Sequence, residues 1–285
     1  MADAPRFILT VSCPDVVGVV AAVSTMLTEA NCFITESNHY GDAETNVFFM
    51  RTVLEPRSPG FTRAGFAATF APIAEKFAMQ WSLHDAGIPP RVLILVSKFD
   101  HCLQDLLYRK RTGSLAMEVP AIVSNHVTLA PLAEQARIPF IHLPVTPATK
   151  ESAEARLFEI IEDTRAEFVV LARYMQVLSD EACRRLPGRV VNIHHSFLPS
   201  FKGAKPYHQA HERGVKLVGA TAHFVTADLD EGPIIAQAVA PVDHTFDAEA
   251  MVEQGRDVES QVLARALRKL IERRVFLNGH RTIVF

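Results

Sequence analysis

Three polar side chains near the ends of two apolar runs have the types and spacing for acyl-transfer chemistry. Asn192 and His194 close the run Val190-Val191-Asn192-Ile193-His194, and Asp230 follows a second run, Val218 to Val225. On a β-strand, residues two apart share a face, so Asn192 and His194 point the same way. A side-chain amide can hold a developing oxyanion, and an imidazole can carry a proton near neutral pH. A carboxylate such as Asp230 can orient that imidazole or a water. The plainer reading of an Asn or His at a strand end is a turn or capping residue. Periodicity alone leaves both readings open and names no reaction.

These residues need a scaffold, and composition bounds it. The 285 residues are enough for two domains of ordinary size, and 48% hydrophobic with 21% charged residues describes a globular chain. A net charge of −3 gives no sign of a nucleic-acid surface. No apolar run reaches the ~20 residues of a membrane helix, and Met1 to Arg6 has no basic start followed by an apolar core. A cytoplasmic protein without a membrane partner is expected. Cys13, Cys32, Cys102 and Cys183 are widely spaced without a C-x-x-C pair, so free thiols are expected. Cys102 is expected near the cleft and exposed there. His208-Gln209-Ala210-His211-Glu212 lacks the H-E-x-x-H or H-x-x-E-H spacing, so no metal site is expected.

The element order divides the chain. Strands are predicted at Arg6 to Ser12, Cys32 to Tyr40, Thr45 to Leu54 and Met79 to His84, with helices at Val16 to Ala30 and Thr62 to Phe77. This βαββαβ order is the ferredoxin-like arrangement and spans residues 1–85. Residues 86–90, Ala86-Gly87-Ile88-Pro89-Pro90, are a stiff linker. Over 91–285 strands and helices alternate, beginning with the continuous apolar strand Arg91 to Ser97. That pattern predicts a doubly wound, mostly parallel α/β sheet with ligands at the carboxyl ends of its strands. A last helix is predicted over Ala248 to Arg274, its Arg and Lys facing water and its apolar positions Val252, Val258, Val262, Leu263, Leu267 and Leu270 turned inward.

Two resemblances give the chemistry its substrate. The motifs Asn192-Ile193-His194, Leu198-Pro199-Ser200-Phe201-Lys202-Gly203, Thr221-Ala222-His223-Phe224-Val225 and Leu229-Asp230-Glu231-Gly232-Pro233 resemble the formyltransferase superfamily that uses 10-formyltetrahydrofolate. Within it the hydrolytic branch, which releases formate and tetrahydrofolate, is the most similar. The resemblance implies Asn192 as oxyanion donor, His194 as proton carrier and Asp230 as the residue orienting His194 and water, with the folate as substrate and no separate cofactor. It implies a folate pocket built from Arg173, Tyr174, Met175, Gln176, Val177 and Leu178, walled by Thr226. The transferase branch usually has Pro where this chain has His195; strand alternation turns His195 away from His194, which suits a structural role, and a role in guiding water stays open. Residues 1–85, with Cys13-Pro14-Asp15-Val16-Val17-Gly18 at the first strand-to-helix turn, resemble an ACT domain. That likeness implies an amino-acid effector near Asp15 and Gly18 and a homo-oligomer, although Val16-Val17 replace the Arg-Pro common there.

The turn after the first strand of the second domain bears on the acceptor. A transferase to a phosphorylated amine needs a small-residue turn to cradle phosphate. Val96-Ser97-Lys98-Phe99-Asp100-His101-Cys102 is bulky and carries a carboxylate, which favours water. The alternatives are a formyltransferase to an amine, and an amino-acid-sensing protein with an inactive catalytic half.

Overall fold

A computed structural model describes residues 5–199 and 206–285. Met1 to Ala4 and the motif residues Ser200, Phe201, Lys202 and Gly203 lie outside the described residues. The chain forms two compact units, one of residues 1–89 with 272–278 and 283–285, the other of residues 90–271 and 279–282.

The first unit contains β1 (Phe7–Pro14), α1 (Val19–Glu29), β2 (Cys32–Asp42), β3 (Val47–Pro56), α2 (Arg63–Lys76) and β4 (Gln80–Asp85). Its sheet has the order β2-β3-β1-β4 with every pair antiparallel. Helix α1 starts after Gly18, whose φ of 99° lies in the left-handed region that glycine enters without a side-chain clash. It buries Val19, Val23, Met26 and Leu27, a helical i, i+4, i+7, i+8 stripe. Thr62 caps α2 by accepting from the Gly65 N–H at 3.0 Å.

The second unit contains β5 (Val92–Val96), α3 (His101–Arg111), β6 (Ile122–Ser124), α4 (Ala130–Gln135), β7 (Phe140–His142), α5 (Lys150–Asp163), β8 (Phe168–Leu171), α6 (Asp180–Arg185), β9 (Val190–His194), α7 (Pro206–Glu212), β10 (Leu217–Phe224), β11 (Ile234–Pro241) and α8 (Ala248–Ile271). The sheet order is β11-β10-β9-β8-β5-β6-β7. All five residues of β5 are fully buried, as a central strand covered on both faces requires. From β5 the chain adds β6 and β7 on one side, then returns to place β8 and β9 on the other; these pairs are parallel. The reversal leaves a crevice at the carboxyl ends of β5 and β8, where α/β sheets bind ligands.

The sheet is mostly parallel, as expected, with β10 antiparallel to both β9 and β11 at one edge. Two expectations shift. Helix α8 stops at Ile271, two residues before Arg273 with φ 58°, rather than at Arg274. The tail beyond it forms β12 (Val275–Asn278) and β13 (Arg281–Val284), a two-stranded pair. Residues 272–278 group with the first unit although the apolar patterning assigns all of 91–285 to the second. The Arg51 Nε donates to the Glu272 carbonyl at 2.8 Å, Arg274 pairs with Glu36 at 2.8 Å, and Asn278 donates to Asp42.

Candidate active site

Strand pairing assembles the polar cluster. Asn192 is the third residue of β9 and stands opposite His223 on β10. Beyond β10 the chain turns sharply so that the Phe224 N–H donates to the Pro233 carbonyl at 2.9 Å. Gly232 is required in that turn, because a Cβ there would lie 1.8 Å from the Phe224 carbonyl oxygen. Asp230, in the left-handed region at φ 58°, is swung back over the end of β9. Its Oδ2 lies 3.2 Å from His194 Nδ1. His223 Nδ1 donates to the Phe224 carbonyl at 2.8 Å, which leaves Nε2 to accept from the Asn192 amide at 3.3 Å. At 3.7 Å from Asp230 Oδ1, His223 Nε2 is an electrostatic neighbour of the carboxylate.

The electrostatics follow from these contacts. Burial pushes the Asp230 carboxyl up, but the hydrogen bond from His194 and the attraction of the His194 and His223 rings outweigh it and hold the group well below the carboxylate range. An ionised Asp230 fixes the proton of His194 on Nδ1. The His194 Nε2 is buried without a hydrogen-bond partner among the described residues. A buried, unpartnered imidazole nitrogen beside an amide is poised to exchange a proton with a ligand.

All three groups line one cavity of about 640 Å³, within the size range of small-molecule sites. The segment after β8 supplies one wall. Met175 and Val177 are 52% and 56% exposed, and Leu229 on the turn opposite is 60% exposed. Gln176 and Thr226 also line the cavity, while Tyr174 and Leu178 sit in the core cluster behind it and reach it only in part. The Met175 N–H donates to Ser97 Oγ at 2.9 Å, tying this wall to the end of β5.

Arg173 lines the cavity, as expected of a pocket residue, and is also paired with a buried carboxylate. Its Nε lies 3.4 Å from Glu259 Oε2, in the blind end of the cavity. Glu259, 1% exposed, also accepts from His101 Nε2 and from Tyr207 Oη, each at 2.8 Å. Burial raises the Glu259 carboxyl, and the hydrogen bonds from His101 and Tyr207 together with the Arg173 charge more than reverse that, so it is held low and ionised. Phe99 lies under two guanidiniums, Arg173 at 5.1 Å and Arg256 at 5.9 Å. The loop after β5 is thus filled by Phe99 and His101, as its bulky composition predicts.

Sequence reasoning missed Glu259, Tyr207 and His101 as site residues. The available signal was an acid seven residues after Val252 and four before Leu263, on the buried stripe of α8. Cys102 is buried rather than exposed, and burial pushes its thiol far up. His101, Cys102 and Glu259 form the one compact set of metal-ligand types among the described residues, but Arg173 and Tyr207 already occupy the carboxylate. His195 corrects the alternation argument. It lies one residue beyond β9, where the pleat has ended, and it lines the same cavity as His194. Asp15 and Gly18 both sit at the exposed turn before α1 in the first unit, with the Asp15 carboxylate packed where a Gly41 Cβ would go.

Known proteins are similar to this chain over its length. The Formyl transferase family profile matches residues 90–267. The formyltetrahydrofolate deformylase of Corynebacterium sp. (strain P-1) is 50% identical, covering 100% of this chain and 99% of its own. The chain belongs to the formyltetrahydrofolate deformylase family. The crystal structure of a deformylase from Burkholderia mallei superposes with a TM-score of 0.95 at 54% identity over 99% of both chains. A glycinamide ribonucleotide transformylase from Symbiobacterium toebii matches more distantly, with TM-score 0.66 and 32% identity, over 72% of this chain and 98% of that one. The transformylase thus lacks a counterpart to more than a quarter of the deformylase-like chain.

Proposed function

We propose that this chain hydrolyses 10-formyltetrahydrofolate to formate and tetrahydrofolate. The observation that carries the reading is the ionised Asp230 holding His194 with its Nε2 free, beside the Asn192 amide, in a cavity with an exposed apolar wall. The pterin lies against Met175, Val177 and Leu229, with Gln176 and Thr226 at its edges. As water adds to the formyl carbon, the carbonyl electron pair moves to oxygen and the Asn192 amide donates to the oxyanion. His194 Nε2 takes one water proton and the resulting imidazolium is stabilised by Asp230. His194 then returns that proton to N10 as the C–N bond breaks. Formic acid leaves and loses its proton to solvent. The folate is the substrate and no further cofactor takes part.

The first unit is read as an ACT domain that regulates this reaction. Asp15 and Gly18 mark its effector turn, an amino acid its effector class, and a homo-oligomer its setting. Among the described residues no helix is long and apolar enough to cross a membrane, which agrees with a cytoplasmic place.

The deciding experiment supplies 10-formyltetrahydrofolate without any amine. Formate and tetrahydrofolate appearing in equal amounts supports hydrolysis. Strict dependence on an added amine shows a transferase, and silence in both conditions shows a sensor.

A further inference from the structure

We propose that His195 is a catalytic residue that holds the attacking water, and that it thereby makes water the acceptor of the formyl group. The inference rests on the hydrolytic reading and goes beyond it by naming what selects the nucleophile. The imidazole of His195 lies between two other rings, 5.1 Å from that of His194 and 6.3 Å from that of Tyr207, and it lines the cavity that holds Asn192, His194 and Asp230. Glu259, which lines the same cavity, accepts from His101 and Tyr207 and is paired with Arg173.

His194 Nε2, unpartnered among the described residues, and the His195 imidazole are acceptors that line one cavity. One water reaches two acceptors separated by up to about 5.6 Å, because each of its hydrogen bonds spans about 2.8 Å. The ring centres lie 5.1 Å apart, which sets the two imidazoles side by side. In this arrangement one water hydrogen points at His194 Nε2, which removes it as the C–O bond forms. The other points at His195 and is not transferred. The oxygen lone pair is left facing the formyl carbon.

The surroundings of His195 keep it suited to this part. Burial and the neighbouring Arg173 guanidinium push its imidazole down to about 4, against the opposing influence of Glu259 and Asp230. A neutral imidazole presents a lone pair to water, whereas an imidazolium would present only donors. The two histidines thus divide the work: His194, held by Asp230, moves the proton, and His195 fixes the direction of attack.

The test compares two acceptors in one enzyme. Formate release in water alone is measured for the wild type, His195→Ala and His195→Gln, together with formylhydroxamate formation when hydroxylamine is added. Losing the orienting contact should slow formate release by about 10²-fold in His195→Ala. Hydroxylamine, a stronger nucleophile that brings no need for an oriented water, should still be formylated at the wild-type rate, and tetrahydrofolate should bind as before. His195→Gln, whose amide oxygen is also an acceptor, should recover part of the formate release. Unchanged formate release in His195→Ala overturns the proposal. So does an equal fall in both products, and so does loss of tetrahydrofolate binding in both variants, which makes the side chain a packing element. A wild type that releases no formate without an amine defeats the hydrolytic reading itself, and that result is visible before any variant is made.

Discussion

The two ends of the cavity solve opposite problems. At the apolar wall, Met175, Val177 and Leu229 leave large apolar surfaces in solvent, an arrangement that gains by covering them with a ligand. At the other end, Glu259, Arg173, His101 and Tyr207 are charged or polar and largely enclosed, with Glu259 accepting from His101 and Tyr207 and paired with Arg173. A buried carboxylate without its donors would be costly, so this end is stable only as a complete set. The open wall changes partners in every turnover, while the closed end keeps the same ones. Asn192, His194 and Asp230 sit between them. Substitutions at the three places should fail in different ways.

The largest effect is expected in the middle. Asp230→Asn removes the charge that fixes the His194 tautomer and should lower kcat by about 10³–10⁴-fold, with tetrahydrofolate affinity retained. Asn192→Ala removes the oxyanion donor and should cost about 10²–10³-fold. The double variant should fall short of the product of the two losses, because the residues act as a unit. Stability carries a second signature. The folded Asp230 carboxyl lies below its ordinary value of 3.8, so the stability it contributes is complete above that pH and lost as pH falls toward the lower folded value. The stability difference between wild type and Asp230→Asn should shrink on acidification below that point in a series of denaturant titrations.

How far the chain could be read before folding follows the same geography. Asn192, His194 and Asp230 were legible because each lies in a dense local motif and because strand parity puts the first two on one face. The order of elements was legible because β5, α3 and α5 carry clean apolar patterns over their whole lengths. The blind end was not. Its four residues come from α3, the loop after β8, α7 and α8, and no local periodicity connects His101 to Glu259 across 158 positions. His195 was placed on the wrong side because alternation holds only while the strand lasts, and β9 ends at His194. Residues 272–278 group with the first unit against the patterning because the residues that hold them, Arg51 and Glu36, are far upstream.

An intermediate effect, with an unusual sign, tests the closed end. Glycine inside a helix ordinarily costs about 0.5–1 kcal/mol relative to alanine, so Gly→Ala should stabilise. At Gly255 in α8 the space of a Cβ is already filled: it would lie 2.1 Å from Tyr207 Cζ and 2.3 Å from Oη. That notch lets the Tyr207 hydroxyl reach Glu259. Gly255→Ala should therefore destabilise by about 1–3 kcal/mol through overpacking. In a Tyr207→Ala background the same substitution should turn stabilising, by about the ordinary helix increment. Thermal melts of the four proteins of this cycle decide it. If Gly255→Ala raises Tm in the wild-type background, the packing account of the blind end is wrong.

The smallest effect belongs to the open wall. Val177 is more than half exposed, so Val177→Ser removes little buried area from the free protein and should leave Tm unchanged. The bound folate covers that side chain, and losing part of its apolar contact should raise KM by about 3–10-fold. Because the contact is the same in the ground and transition states, kcat should hold. This pattern is the reverse of that expected for Gly255→Ala, which alters stability before binding. Steady-state kinetics beside a melt separate the two: a fall in Tm with unchanged KM for Val177→Ser would show that this residue supports the fold, and the folate would then have to lie elsewhere in the cavity.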